Sequence, residues 1–441
     1  MTIDIATLTL IIIVVMAVLL VMGLPFAFVL GSIACVTALV LWGPGSLVVI
    51  VSRILGVMRS FIFVAVPMFI LMAQVLRKSG VVEDLFTAGY MWLGPLRGGL
   101  AVATIAAATI IAAMTGIIGT ALVTLGLIAL PEMLKRDYNK SIACGSIMAG
   151  SGLGTLIPPS IVFIMYGATA GVSVGKLFMA GVMPGLLLSV SYSTYIFLRC
   201  FINPKLAPAL SKEERRIPFK QKLALGKGLV LPSILIIIVL GSIYAGLATP
   251  TEAAACGAAG AFFCAAVHRK LNWKLIKDSL LDTVEIACMM IWLAFGALGL
   301  VAVYTLAGGT QFVMDLIYGL PLSPLAVVLV MQMILIALGT VIDWIGMLFL
   351  TMPIFVPIVV SFGFDPLWFG VLFVMNCQIA YLSPPFGQGM FYLKGVAPPT
   401  ITMADIIKSI WPFMGIQVIC LIIVTLNPQI ALWLPSKMLG G

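Results

Sequence analysis

The residues best suited to chemistry in this chain are, apart from one acid, uncharged and mostly small, and they gather at four breaks in apolar sequence. Thr115, Gly116, Gly119 and Thr120 lie in Met-Thr-Gly-Ile-Ile-Gly-Thr at 114–120. Ser151, Gly154, Thr155, Pro158, Pro159 and Ser160 lie in Gly-Ser-Gly-Leu-Gly-Thr-Leu-Ile-Pro-Pro-Ser at 150–160. Gly339, Thr340 and Asp343 lie in Leu-Gly-Thr-Val-Ile-Asp at 338–343. Asn376 leads to Ser383, Pro384, Pro385, Gly387 and Gln388 in Leu-Ser-Pro-Pro-Phe-Gly-Gln-Gly at 382–389. Hydroxyls and unwound carbonyls are oxygen ligands for Na⁺, and the free N–H groups of a half-helix attract an anion. The chemistry these clusters support is therefore ion and anion binding. For a single Ser or Thr, a hydroxyl bonded back to its own helix is an equal alternative; the clusters taken together favour a transport site. Asp343 is the only acid in the long run 323–360. An ionisable residue there is a functional candidate, and it is also placed to cap the helix that begins at Trp344. The two roles are compatible.

Other chemistry has little material. The sole histidine is His268, and the 8 cysteines form no CxxC pair. No phosphate-binding Walker pattern, nucleophile elbow or buried carboxylate pair occurs, so the chain does not read as an enzyme, and no bound cofactor is implied. Glu132 reads as an acid at the membrane edge, Glu252 in Thr-Pro-Thr-Glu as part of a capping turn, and Glu285 as the start of a span; none is taken as a ligand.

The elements that must position the clusters are membrane helices. Of 441 residues, 62% are apolar and 9% charged, against about a quarter charged in soluble domains. Apolar runs long enough to span, about 20 residues each, recur along the whole chain. The 43 Gly and 25 Pro then belong at helix ends, kinks and irregular backbone shielded from lipid. The first run starts without a basic leader and continues into a second, so it reads as a retained helix. Runs 98–134 and 323–360 are too long for one crossing and carry polar, glycine-bearing centres. Each reads as a helical hairpin that enters and leaves on one side, with two short spans and a tight loop as the alternative. Runs 141–171 and 366–393 each carry a Pro-Pro pair, which removes two backbone donors and splits the helix. Gly119 and Pro158 are 39 residues apart, and Asp343 and Pro384 are 41 apart. The same order of hairpin and broken helix thus occurs twice, as an internal repeat.

Charge sets the orientation. The net charge of +9 belongs to short loops, where the positive-inside rule concentrates Lys and Arg, and not to nucleic-acid binding. The linker 202–227 and the segment 268–278 are basic and read as cytoplasmic. The first hairpin is flanked by Arg77, Lys78, Arg97, Lys135, Arg136 and Lys140, so it opens from the cytoplasm. The second is flanked by Asp315 and Asp365 without a cation, so it opens from outside. The repeats are inverted and the N-terminus lies outside. Arg53 and Arg59 dissent; their segment, 46–60, reads as an amphipathic helix on the membrane surface.

The expected fold is an all-α polytopic membrane protein with inverted repeats, each holding a re-entrant hairpin and a Pro-Pro-broken helix. The expected divisions are scaffold helices over 1–96 and a first repeat over 97–201 (hairpin 98–134, broken helix 141–171, helix 177–199). The linker 202–227, further scaffold helices over 228–307 and a second repeat over 308–441 (hairpin 323–360, broken helix 366–393, final helix 410–434) complete the chain. Such inverted, discontinuous helices mark secondary transporters.

At these same positions the chain resembles the large membrane subunit of tripartite ATP-independent periplasmic (TRAP) transporters. The resemblance rests on Ala129-Leu-Pro-Glu-Met-Leu-Lys-Arg136, Gly154-Thr-Leu-Ile-Pro-Pro-Ser160, Gly175-Lys-Leu-Phe-Met-Ala-Gly181 and Thr249-Pro-Thr-Glu-Ala-Ala-Ala255. It continues through Gly363-Phe-Asp-Pro-Leu-Trp-Phe-Gly370, Ser383-Pro-Pro-Phe-Gly387 and Lys394-Gly-Val-Ala-Pro-Pro399. The resemblance implies a multi-pass protein of the bacterial inner membrane that moves like an elevator and imports a small organic acid, driven by a sodium gradient. It implies a small four-helix membrane subunit, expected here as a separate chain, and a periplasmic substrate-binding protein. It also implies Na⁺ between each hairpin tip and its facing break, near Thr120, Ser151, Thr340 and Ser383. Two departures touch this region: Asn376-Cys-Gln where an acid and a small residue more often follow the Asn, and Asp343-Trp344 where Asp-Pro is common. Substrate identity is therefore not carried over, although the departures look closer to members handling keto acids and other monocarboxylates. A stand-alone ion-coupled carrier of the same superfamily and a non-transporting membrane scaffold are the rival readings.

Overall fold

Helices run through the whole computed structural model, and they end where the sequence supplies a breaker or a cap. The structure describes residues 4–116, 118–209, 219–319, 321–384 and 387–438, without the side chains of 82–84, 112, 113, 115 and 219–229. Helices α1 (Ile5–Val21) and α2 (Phe26–Trp42) lead into α3 (Leu47–Arg59), α4 (Ala65–Lys78) and α5 (Val81–Leu93). Helix α3 is the expected amphipathic segment: it buries only Ile50 and Val57, seven residues and so two turns apart on one face. The first repeat follows as α6 (Gly99–Thr115), α7 (Ile118–Leu134), α8 (Lys140–Gly152), α9 (Ile161–Ala170) and α10 (Val174–Ile202). Next come α11 (Phe219–Tyr244), α12 (Pro250–Val267), α13 (Trp273–Leu306) and α14 (Gly309–Tyr318). The second repeat is α15 (Pro324–Gly339), α16 (Trp344–Ser361), α17 (Pro366–Leu382), α18 (Gln388–Val396) and α19 (Met403–Leu426).

The breaks have local causes. Gly116 takes φ 59°, a left-handed conformation that glycine adopts without steric cost, and the chain reverses there between α6 and α7. Asp343 caps α16, its carboxylate accepting the Ile345 N–H at 3.2 Å. Ser323 and Asp365 cap α15 and α17, each followed by a proline at the first helical position, where its missing N–H costs nothing. Thr249 and Glu252 form the capping box of α12, as the sequence indicates.

One expectation is corrected. Helix α13 starts at Trp273, capped by Asn272 whose side chain accepts from the Leu275 N–H at 2.8 Å. Glu285 therefore sits in the middle of a 34-residue helix and does not open it. Within the linker 202–227, α11 begins at Phe219, and residues 210–218 lie outside the described residues.

Packing repeats the internal symmetry. Each hairpin packs on the first half of its own broken helix, α6 and α7 on α8, and α15 and α16 on α17. The returning arms cross over, so that α7 packs on α18 of the second repeat and α16 on α9 of the first. The helices that follow the repeats exchange in the same way, α10 against α17 and α19 against α8. Gly126 lets α7 approach Val396 and Leu393 of α18, and Gly370 of α17 faces the Tyr166 ring of α9. Beside these elements, α2 packs on α13 and α4 on both α12 and α13.

Among the described residues, six helices are long and apolar enough to cross a membrane alone. The basic loops gather at one end: Lys140 pairs with Asp405 at 3.2 Å, and Arg77 and Lys78 each reach Asp282 at 2.9 Å. The first hairpin hangs from this basic end and the second from the opposite, far end, so the repeats are inverted. Their tips meet, since Ile118 and Gly119 share a cavity wall with Asp343. Neither hairpin therefore crosses the whole fold, which decides for re-entrant hairpins over paired spans.

Candidate functional site

The two hairpin tips and the two breaks converge on one cavity of about 770 Å³. Gly116, Gly119, Thr120, Thr155, Asp343 and Gln388 all line it. Gly116 lies against the Pro159 carbonyl, which leaves no room for a Cβ, and Gly119 faces the Tyr392 ring. The first tip thus touches its own break and the second half of the other broken helix. At the second tip, the Gln388 side-chain amide donates to Asp343 Oδ1 at 2.7 Å. A smaller recess of about 80 Å³ behind it is lined by Gly339, Asp343, Cys377, Tyr381 and Gln388.

The remaining sequence candidates lie behind this wall. Gly154 is buried in the tight turn Leu153–Thr155, and the Pro158–Pro159 bond that follows is cis. Ser160 caps α9; its hydroxyl donates to the Thr155 carbonyl and accepts from the Phe163 N–H. Ser151 donates to the Ile147 carbonyl at 2.7 Å, Thr340 to Ala337 at 2.7 Å, and Ser383 to Ile379 at 2.7 Å. Thr155 donates to the Gly152 carbonyl at 3.0 Å. Bonding back to the helix is therefore what these hydroxyls do in the structure. It does not exclude a cation, because a hydroxyl that donates its proton keeps its lone pairs. Asn376 is fully buried; its Nδ2 donates to the Leu372 carbonyl at 2.8 Å, while its Oδ1 has no partner among the described residues. A buried, unpartnered amide oxygen is costly and is a fitting ligand for a hard cation. Gly387 sits at the start of α18 beneath the Ser383 and Tyr381 carbonyls, and Pro384 precedes it in the turn. The side chain of Thr115, and all of Pro385, lie outside the described residues.

The opposite wall of the cavity comes from helices that sequence reasoning did not assign to the site. Phe26 lies at the start of α2, Gln74 and Arg77 near the end of α4, and Asp282, Glu285 and Trp292 along α13. All but Trp292 belong to the basic-end portions of these helices, so the cavity leans toward that end. Arg77 donates to Asp282 at 2.9 Å and to Gln74 Oε1 at 2.7 Å. Arg77 reads in the sequence as a topology marker, and only its tertiary neighbours show that it also faces the site. The i, i+3 spacing of Asp282 and Glu285 is a helical-face signal that was available once α13 is extended back to Trp273.

The chamber is lined mainly by apolar side chains, with Thr120, Thr155, Gln74 and Gln388 and the charged Arg77, Asp282, Glu285 and Asp343 among them, a lining that suits passage of ions and polar solutes. Known proteins place it further. The family described as the tripartite ATP-independent periplasmic transporter, DctM component, matches residues 13–430. A "C4-dicarboxylate TRAP transporter large permease protein DctM" of Vibrio cholerae is 31% identical, covering 95% of this chain and 96% of its own. An "isethionate TRAP transporter permease protein DctMQ" of Oleidesulfovibrio alaskensis is 30% identical over 95% of this chain and 65% of its own length. Among solved structures, the YdaH transporter of Alcanivorax borkumensis superposes with a TM-score of 0.59 over 92% of this chain and 96% of its own, at 14% identity; that likeness concerns the fold alone. These relatives are transporter permeases and not enzymes. The inverted hairpins, the broken helices and the family match over nearly the whole length agree: the chain belongs to the DctM family, the large permease subunits of tripartite ATP-independent periplasmic transporters.

Proposed function

We propose that this chain is the translocating subunit of a sodium-coupled, binding-protein-dependent importer of a small organic acid in the bacterial inner membrane. The observation that carries the reading is the convergence of both hairpin tips on one cavity across which Gln388 holds Asp343. Helices α2, α4, α12 and α13 serve as the scaffold, and the hairpins with their broken helices as the moving body of an elevator. The positive-inside rule makes the basic end cytoplasmic, so the cavity stands open on the release side. Na⁺ takes oxygens between each tip and its facing break, near Thr120 and Ser151 in the first repeat and Thr340, Ser383 and Asn376 in the second. The substrate's acid group lies at the cavity, where α18 begins at Gln388 and presents its first N–H groups. The printed names of two relatives, a C4-dicarboxylate and an isethionate transporter, support an organic anion. A small four-helix membrane subunit packs on the scaffold in the bilayer, and a periplasmic binding protein delivers the substrate.

The test is uptake of labelled organic acids into proteoliposomes holding this chain with its small membrane partner, with and without the binding protein and an inward sodium gradient. Uptake that requires both supports the proposal. Uptake without the binding protein makes the chain a stand-alone carrier, and uptake indifferent to sodium removes the coupling ion.

A further inference from the structure

A second cavity, of about 540 Å³, lies between α3, α9, α13 and α16 toward the far end and shares no lining residue with the site above. Its polar lining is Ser52, Arg53, Ser60, Thr169, Thr305 and Thr310, with no carboxylate among the described lining residues. Arg53 projects from α3 and is exposed. It makes no ion pair or hydrogen bond among the described residues, whereas Arg77 in the first cavity is held by Asp282. The positive-inside rule disfavours an arginine at this end of a membrane protein, and topology gives no reason for it.

The register along two helices relates the cavities. Helix α13 walls both, through Asp282–Leu293 in the first and Leu298–Thr305 in the second. Helix α16 also walls both, through Trp344 and Ile345 in the first and Phe349 and Pro353 in the second. On α13, which belongs to the fixed scaffold, the second set lies roughly 20 Å further toward the far end at about 1.5 Å per residue. An outward slide of the moving body by about that length carries Asp343 and Gln388 from the level of the first cavity to the level of Arg53. We infer that the Arg53 cavity is the scaffold half of the outward-facing site, where the guanidinium receives the carboxylate of an incoming organic acid. The inference rests on the elevator reading above. It assigns the scaffold an unpaired cation at entry and a neutralised one at exit, so that the anion is attracted on one side and released on the other.

The experiment reads binding without turnover. Thr305→Cys, with Thr310→Cys as a second reporter, is labelled from outside by a membrane-impermeant thiol reagent. The unsubstituted chain, whose exposed Cys256 and Cys288 give the background, serves as control. Succinate and pyruvate are the probes, each matched in ionic strength by chloride. The expected result is that either acid slows labelling, and that R53Q needs about tenfold more acid for the same protection, the factor for losing one charge-assisted contact of about 1.4 kcal/mol. R53K is expected to retain most of the protection, and R53Q to raise the KM for external but not internal acid. No protection in the parent, or equal protection in R53Q, overturns the inference. So does an R53Q defect confined to acid delivered by the binding protein, which makes Arg53 a protein-docking contact instead. Because labelling needs neither sodium nor transport, a chain that fails the uptake test fails separately from this one.

Discussion

The Gln388 amide donates to Asp343 Oδ1 at 2.7 Å, joining the tip of the second hairpin to the start of α18. The carboxylate also accepts the Ile345 N–H, so one side chain caps its own helix and reaches across the break. A hydrogen bond to a charged group contributes about 1.5–3 kcal/mol, and half-burial of Asp343 puts this one at the lower end. Gln388→Ala is therefore expected to raise the half-saturating substrate concentration about tenfold with the maximal rate retained. Asp343→Ala, which removes the cap as well, is expected to abolish uptake. In uptake kinetics, a Gln388→Ala variant with an unchanged half-saturating concentration would show that this hydrogen bond is not used in transport.

Ser383 and Thr120 separate two uses of a hydroxyl. Ser383 spends its proton on the Ile379 carbonyl at 2.7 Å, while Thr120 lines the open cavity. Both keep lone pairs that the proposed Na⁺ would use. Ser383→Ala and Thr120→Ala are each expected to raise the sodium concentration for half-maximal uptake several-fold, about 1 kcal/mol per lost ligand. Ser383→Thr should keep the wild-type value. An unchanged sodium dependence in both alanine variants would remove these residues from the ion site.

The breaks were legible because their causes are local. Gly116, Asp343 and Ser383 each end or start a helix through their own backbone freedom or side-chain bond, and such chemistry is written in a few consecutive residues. The inverted order of hairpin and broken helix was legible for the same reason. Which candidates face the cavity was not. Ser151 and Thr155 are four residues apart, yet Ser151 is buried away from it and Thr155 lines it, because the helix gives way to a tight turn between them. The wall of Phe26, Arg77 and Asp282 brings together helices more than two hundred residues apart, which no local pattern encodes. Glu285 was misplaced because the first turns of α13 carry Lys274, Lys277, Asp278 and Asp282 and so read as a charged loop.

Phe26 sits directly on Gly346, its ring occupying the space a Cβ would take. This contact joins α2 to α16 beside the cavity. Gly346→Ala must push the ring aside, and overpacking of this kind costs about 1–3 kcal/mol. The expected outcome is a lower unfolding temperature and slowed uptake. Adding Phe26→Leu should restore much of both, since the shorter side chain vacates the site. A Gly346→Ala variant that matches the parent in both measurements would mean the ring moves without cost.

Asp282 holds Arg77 and Lys78 at 2.9 Å each, yet it should matter little to stability. Its side chain is 36% exposed, against 31% for Arg77 and 21% for Lys78. Partly exposed pairs contribute about 0–1 kcal/mol once solvent screening is counted, and salt reduces that further. Asp282→Asn is accordingly expected to shift the unfolding midpoint by no more than a few degrees, with the shift shrinking as salt rises. Its larger effect should fall on release. Asp282→Asn leaves Arg77 and Lys78 without their carboxylate, and under the proposed import cycle release of an organic anion to the cytoplasm should slow while external KM stays unchanged. A destabilisation of about 3–5 kcal/mol, the cost of breaking a fully buried pair, would show instead that the trio anchors the scaffold.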